Sequence, residues 1–192
     1  NILNNGTNFL FGPFEKVTGT YVNWAATETA TLDAGVGYRT GTTNNLFVTF
    51  QGNAENGIIT NDIINAGTTN QEWNLVGNPY PSYLKVQDFL SHDVGGVTNI
   101  QLFDAPTAAI YGYDGSALNG WTIYNLATTT PSTLIAPGQG FFVSADATNA
   151  PLYDLRFTPA MRRASGGDDF IAGRNAALTY LTVNVSTNSK SY

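Results

Sequence analysis

The sequence contains no cysteine, one histidine and only eight lysine and arginine residues in a chain of 192. Without cysteine the chain forms neither disulfides nor thiolate metal sites, and one histidine cannot build a zinc site of the usual nitrogen and sulfur ligands. The 14 acidic residues leave a net charge of -6, which disfavours nucleic acid and anionic membranes because both are bound through clustered Lys and Arg. No stretch has the roughly 18 to 20 apolar residues of a membrane-spanning helix. We therefore expect no nucleic-acid partner and no membrane insertion.

Charge is scarce as well. Charged residues make up 11% of the chain, against about 25% in ordinary soluble domains. Asn and Thr supply the polar surface instead, and these residues suit strand faces and turns rather than helices. The hydrophobic fraction of 42%, including 12% aromatic residues, is enough for one sizeable core. This composition predicts a single domain over 1–192.

Short apolar runs alternate with clusters of Gly, Asn, Pro and Thr along the chain, which is the pattern of an all-β protein. Several runs also alternate apolar and polar residues, so one face of each strand is expected to be packed and the other wet. The pattern predicts an antiparallel β-sandwich, jelly-roll-like, with one short helical turn over 83–91. The predicted strands cover 8–14, 19–24, 37–39, 46–51, 72–76, 109–113, 120–124, 140–143, 152–157 and 177–185.

The run WNLVGNPYPS at 73–82 predicts a rigid corner at the end of a buried strand. Two prolines fix φ and remove backbone donors, and the residue before each proline is pushed towards an extended backbone. Gly77 can adopt the positive φ that other residues resist. This segment is therefore interpreted as structural rather than catalytic.

Two Gly-x-Gly turns, at 35–37 and 138–140, each lead into a short strand, and an apolar and aromatic run follows each of them. These runs are 47–50 and 155–157. The spacing predicts a β-hairpin that is duplicated within the domain, with pseudo-repeat halves at about 1–72 and 73–192.

Six segments together resemble a recurrent module of secreted and surface proteins of the Bacteroidetes. In that group the module commonly lies in large adhesins or hydrolases near the C-terminal sorting signal of the type IX secretion system. The resemblance implies export, a cell-surface or extracellular location, a β-sandwich and no known catalytic residue. No sorting domain follows Tyr192, so we expect a fragment or one repeat of a longer protein. The segments are GVGY at 35–38, FQG at 50–52 with NG at 56–57, WNLVGNPYPS at 73–82, YGYDG at 111–115 with GW at 120–121, IAPGQGFFV at 135–143 and FTPAMR at 157–162.

The sequence supports a catalytic or metal-binding site less well than it supports a structural module. His92 lies between Ser91 and Asp93, but adjacent residues on one turn do not generally form a relay. Most carboxylates that could serve a glycosidase occur in turn-like contexts, where Asp caps its own backbone. We expect a non-enzymatic chain without a cofactor. For three of the carboxylates, a structural Ca²⁺ and ordinary Asx turns remain alternatives. The glycosidase candidates are Asp104, Asp114, Asp154, Asp168 and Asp169, and the calcium candidates are Asp114, Asp168 and Asp169.

Two binding functions fit the remaining pattern. In the first, the chain is a structural or adhesive module that contacts neighbouring domains or protomers, with 1–8 and 178–186 as candidate exchange strands. In the second, it is a carbohydrate-binding module of a secreted polysaccharide-degrading enzyme, because aromatic rings stack on pyranose faces. The candidate platform residues are Trp24, Trp121, Tyr80 and Tyr83.

Overall fold

The computed structural model describes residues 2–43, 48–66, 69–113, 120–148 and 154–166, and the backbone of two short strands near the C-terminus. In these residues every strand pairing is antiparallel, and the helical content is α1 (Val86–Leu90) and three 3₁₀ turns. The predicted all-β, sandwich-like class is confirmed. The strands are β1 (Phe11–Glu15), β2 (Thr20–Tyr21), β3 (Tyr38–Thr40), β4 (Ile59–Asn61), β5 (Trp73–Gly77), β6 (Tyr83–Lys85), β7 (Asp93–Val94), β8 (Val97–Thr98), β9 (Ile110–Tyr113), β10 (Trp121–Tyr124), β11 (Leu134–Ile135), β12 (Gly140–Ser144), β13 (Leu155–Phe157), β14 (Arg162–Arg163), β15 (Ser186–Thr187) and β16 (Lys190–Ser191).

Two of the predicted strands need comment. Residues 48–50, which belong to the strand predicted over 46–51, form no strand, and 46–47 lie outside the described residues. The strand predicted over 177–185 also lies outside them. No helix within the described ranges is long and apolar enough to cross a membrane.

A four-stranded sheet in the order β10-β9-β12-β5 is the centre of the fold. Its inner face carries side chains that are fully or almost fully buried, and alternation along each strand places the intervening residues on the opposite, outer face. The buried apolar residues of this face are Val76, Ile110, Phe141 and Val143.

The helix closes the core against this inner face. The ring of Phe89 meets Phe141 edge to face at 5.8 Å and stacks on Phe157 at 4.9 Å. The helical turn predicted over 83–91 is shorter than expected, because its first part is strand β6. Leu84 is buried between half-buried neighbours there, and β6 pairs with β11 and β14.

A three-stranded sheet in the order β2-β1-β3 covers part of the outer face. Phe14 on β1 makes the contact, with its ring at 5.3 Å and 90° to that of Phe142 on β12. The leader before β1 is already paired within its own chain, since Leu3 donates its N–H to the carbonyl of Gly41 at 2.8 Å and accepts from Leu10 at 2.7 Å. This pairing disfavours the leader as an exchange strand, and most of the other candidate, 178–186, lies outside the described residues.

The corner after β5 is built around one buried asparagine. Asn78 Nδ2 donates to the carbonyls of Ser82 at 2.8 Å and Ala136 at 3.0 Å, and Asn78 Oδ1 accepts the N–H of Tyr80 at 3.1 Å. Gly77 does not adopt the positive φ that is open to glycine. Close approach of the backbone favours glycine there, because a Cβ would lie 3.2 Å from the carbonyl oxygen of Val36.

The predicted duplicated hairpin needs correction. The strand after the second Gly-x-Gly turn, β12, pairs with β5 and β9, whereas β13 pairs with β4. The two turns instead lie on either side of the end of β5. Gly77 donates its N–H to Gly35 O at 2.8 Å, and Asn78 donates to Gln139 O at 3.0 Å.

Candidate binding face

The outer face of the four-stranded sheet is aromatic because of the strand register. Trp121 on β10 lies opposite Tyr113 on β9, and Ile123 lies opposite Tyr111, which in turn is opposite Phe142 on β12. Since cross-strand partners share a face, these side chains form one surface. Strand β1 covers this surface where Phe142 lies, through the ring of Phe14.

Five rings run in contact across this surface, and we call them the aromatic row: Tyr113, Trp121, Phe142, Phe14 and Tyr21. Successive ring centroids are separated by 5.0, 6.0, 5.3 and 5.4 Å, with interplanar angles of 45°, 65°, 90° and 74°. These tilted and edge-to-face contacts fall in the range that aromatic pairs prefer. Each ring is therefore held in place by its neighbours.

One end of the row is open to solvent. Trp121 is 49% exposed, Tyr113 is 48% exposed, and Ile123 beside them is 48% exposed. The rings of Phe142, Phe14 and Tyr21 are half-buried. The row therefore runs from exposed rings on β9 and β10 to half-buried rings at the three-stranded sheet β2-β1-β3.

Charge is distributed unevenly around the row. The strands β5, β9, β10 and β12 carry no charged side chain. At the covered end, the guanidinium of Arg39 lies 4.3 Å from the ring centroid of Tyr21 and donates through Nη2 to Asn23 Oδ1 at 2.8 Å. Near the same end, burial lowers the pKa of Lys16 to about 8, an effect that the nearby Glu72 carboxylate opposes.

The four predicted platform residues are not brought together. Trp121 belongs to the aromatic row, whereas Trp24 is half-buried against Phe11 and Tyr38. Tyr83 is half-buried on β6, which is outside the four-stranded sheet. The assignment of Tyr80 is wrong, because its side chain is only 1% exposed and cannot meet a ligand.

Three outer-face residues, Tyr113, Ile123 and Phe142, were not predicted as binding residues. The available signal was the alternation in IYGY and WTIY on the two sides of a short polar segment, which predicts a hairpin with aromatic side chains on one face. Among the described residues, no three His, Asp or Glu side chains cluster in a way that could hold a metal ion. The calcium candidates Asp114, Asp168 and Asp169 lie outside those residues, so a structural Ca²⁺ stays a prediction.

Comparison with known families gives one match. The profile of a domain of unknown function, DUF8693, matches residues 4–184. The chain belongs to the DUF8693 family. No curated protein and no solved structure matches it.

The single histidine of the DUF8693 chain, His92, makes no hydrogen-bonded relay with its sequence neighbours Ser91 and Asp93 within the described residues. The Ser91 hydroxyl donates to the carbonyl of Gln87 at 2.6 Å, and the Asp93 carboxylate accepts the N–H of Gly96 at 3.0 Å. Neither bond involves the imidazole of His92, whose buried Nε2 has no hydrogen-bond partner in the described part of the chain. Burial lowers the pKa of His92, as does the nearby Arg156, while Asp93 opposes the shift.

We expect stability to fall as the pH is lowered through about 6.5, the ordinary pKa of histidine. Because the pKa of His92 is lower in the folded chain, the unfolded chain binds more protons in this range, and stability is fully present only above it. Since solvent reaches part of the ring, the slope should stay well below the one-proton limit of about 1.4 kcal/mol per pH unit. Urea unfolding between pH 5.5 and 7.5 measures the slope, and His92→Asn should flatten it. An unchanged slope in that variant would exclude His92 as the cause.

Proposed function

We propose that this DUF8693 chain is a non-enzymatic structural and adhesive module of an exported or cell-surface bacterial protein. In this proposal it joins a neighbouring domain or protomer by strand addition along β10. The observation that carries the proposal is that β10 is the outermost strand of the four-stranded sheet in the described part of the chain. The outward N–H and C=O groups of an edge strand are the groups through which another strand can be added to a sheet.

The two edges of the four-stranded sheet differ in how well they are protected from pairing with a strand of another chain. At the β5 edge, Val36 forms a bridge with Val76, and Gly37 donates its N–H to Leu75 O at 3.1 Å. At the β10 edge the sequence is WTIY, which contains no lysine, proline or acidic residue. Natural edge strands usually carry such residues to prevent pairing with other chains. Their absence from β10 supports its use as a docking edge.

The cellular setting is proposed on the sequence resemblance described above. Export is also compatible with a chain without cysteine, in which no disulfide has to form. The Asn- and Thr-rich surface and the net charge of -6 favour solubility, and the negative charge disfavours binding of nucleic acid. We place the chain outside the cell, as one module of a larger surface protein or filament.

The test is a lysine placed on the edge strand. Ile123→Lys should weaken self-association by about tenfold or more, because a charge on an edge strand opposes strand addition. Light scattering over a concentration series measures the association of the purified chain. Ile58→Lys is the matched control, since Ile58 is an exposed isoleucine away from this sheet. A strictly monomeric wild-type chain, or equal association in both variants, would contradict strand addition between copies.

A further inference from the structure

We propose that the open end of the aromatic row is a carbohydrate-binding site that takes a neutral polysaccharide. The rings of Trp121 and Tyr113 would lie against the apolar faces of its pyranose rings. This proposal goes beyond strand addition along β10, because it uses side chains on the outer face of the sheet rather than the backbone at its edge. It is argued from the size of the uncovered surface, its charge and the support behind its rings.

The uncovered surface is too small for a stable protein interface. Trp121, Tyr113 and Ile123 expose about half of their surface each, which corresponds to roughly 300 Å² for the three side chains together. A stable protein–protein interface buries about 800 Å² on each partner. Apolar patches of about 300 Å² on monomers are often functional. The size therefore favours a short run of sugar rings over a docked domain.

The charge of the surface selects an uncharged ligand. None of the four strands of the sheet carries a charged side chain, although the whole chain has a net charge of -6. An anionic polymer would meet no compensating cation on β9 or β10 and would be repelled by the net charge. Arg39 stacks on Tyr21 at the opposite end of the row. A neutral polysaccharide incurs no such electrostatic cost.

The rings are supported from behind and from the side. Trp121 contacts both Tyr113 and Phe142, and Phe142 is held in turn by Phe14. On the same outer face, Tyr111 meets Trp73 edge to face at 4.8 Å and donates its hydroxyl to Thr107 O at 3.0 Å. A platform that is fixed before binding loses little side-chain entropy when the ligand arrives.

Affinity electrophoresis of the full chain tests the proposal. The gels contain hydroxyethylcellulose, galactomannan or soluble starch as neutral probes, and polygalacturonate as the anionic probe. We expect retardation in at least one neutral gel and none in polygalacturonate. Trp121→Ala and Tyr113→Ala should each weaken the retained affinity by about 10- to 100-fold, since truncated aromatic anchors cost this much in other interfaces.

Two controls make the result specific. Phe50→Ala removes a ring that is equally exposed but lies outside the row, and it should bind as the wild type does. Trp121→Phe keeps a ring at the same position and should recover part of the affinity that Trp121→Ala loses. The proposal is overturned if no neutral gel retards the chain, if only polygalacturonate does, or if Phe50→Ala loses as much affinity as Trp121→Ala. Strand addition is judged by a different measurement, the self-association of the chain in light scattering, so the two proposals can fail independently.

Discussion

Tyr80→Ala is expected to lower the free energy of unfolding by about 3–5 kcal/mol, the usual cost of truncating a buried aromatic ring. The side chain is 1% exposed and belongs to the main hydrophobic core. Its hydroxyl donates to Gly57 O at 2.8 Å, and burial raises its pKa to about 12, so the donor is retained at all physiological pH values. Urea unfolding of the variant measures the loss.

Tyr80→Phe separates the ring from its hydroxyl. This variant keeps the packed ring and loses one hydrogen bond to an exposed glycine, so it should cost only about 1 kcal/mol. Glycan retention, if present in the wild type, should be unchanged in Tyr80→Phe. A stable Tyr80→Ala variant that had lost glycan retention would instead return Tyr80 to the list of platform residues.

The corner at 73–82 was predicted from the sequence, whereas the burial of Tyr80 was not. The difference shows the range over which a local sequence pattern is informative. Proline geometry acts within one or two residues, so the run at 73–82 predicted a rigid corner without knowledge of the rest of the chain. The burial of Tyr80 depends on Gly57, which is 23 residues away, and on Arg162, whose guanidinium lies 5.3 Å from the ring centroid. Neither contact is visible in a local pattern.

The aromatic row was predictable only in part for a related reason. Trp121 and Tyr113 are joined by a hairpin, and their alternation with neighbouring residues is readable in the sequence. Phe142 joins them only because β12 pairs with β9, and Phe14 because a separate sheet covers that end. Register between distant strands is set by the whole packed face, so side chains from five strands could not be assigned to one surface beforehand.

The largest unforeseen polar contribution comes from Asn99, which is fully buried. Strand β13 has β4 on one side, and on its other side the Asn99 amide serves the backbone of Arg156. Nδ2 donates to Arg156 O at 2.8 Å and to Phe89 O at 2.8 Å, while Oδ1 accepts the N–H of Arg156 at 3.3 Å. One side chain thus makes the hydrogen bonds that a neighbouring strand would make to β13. The same side chain also links β13 to α1.

Asn99→Ala is expected to lower the free energy of unfolding by about 3 kcal/mol, because it leaves buried backbone groups of Arg156 and Phe89 without partners. Asn99→Leu tests the cause, since leucine fills the space but restores none of the three hydrogen bonds. Urea unfolding should show Asn99→Leu to be about as unstable as Asn99→Ala. If leucine recovered most of the stability, the loss in Asn99→Ala would come from a cavity, and the amide would not be acting as a substitute strand for β13.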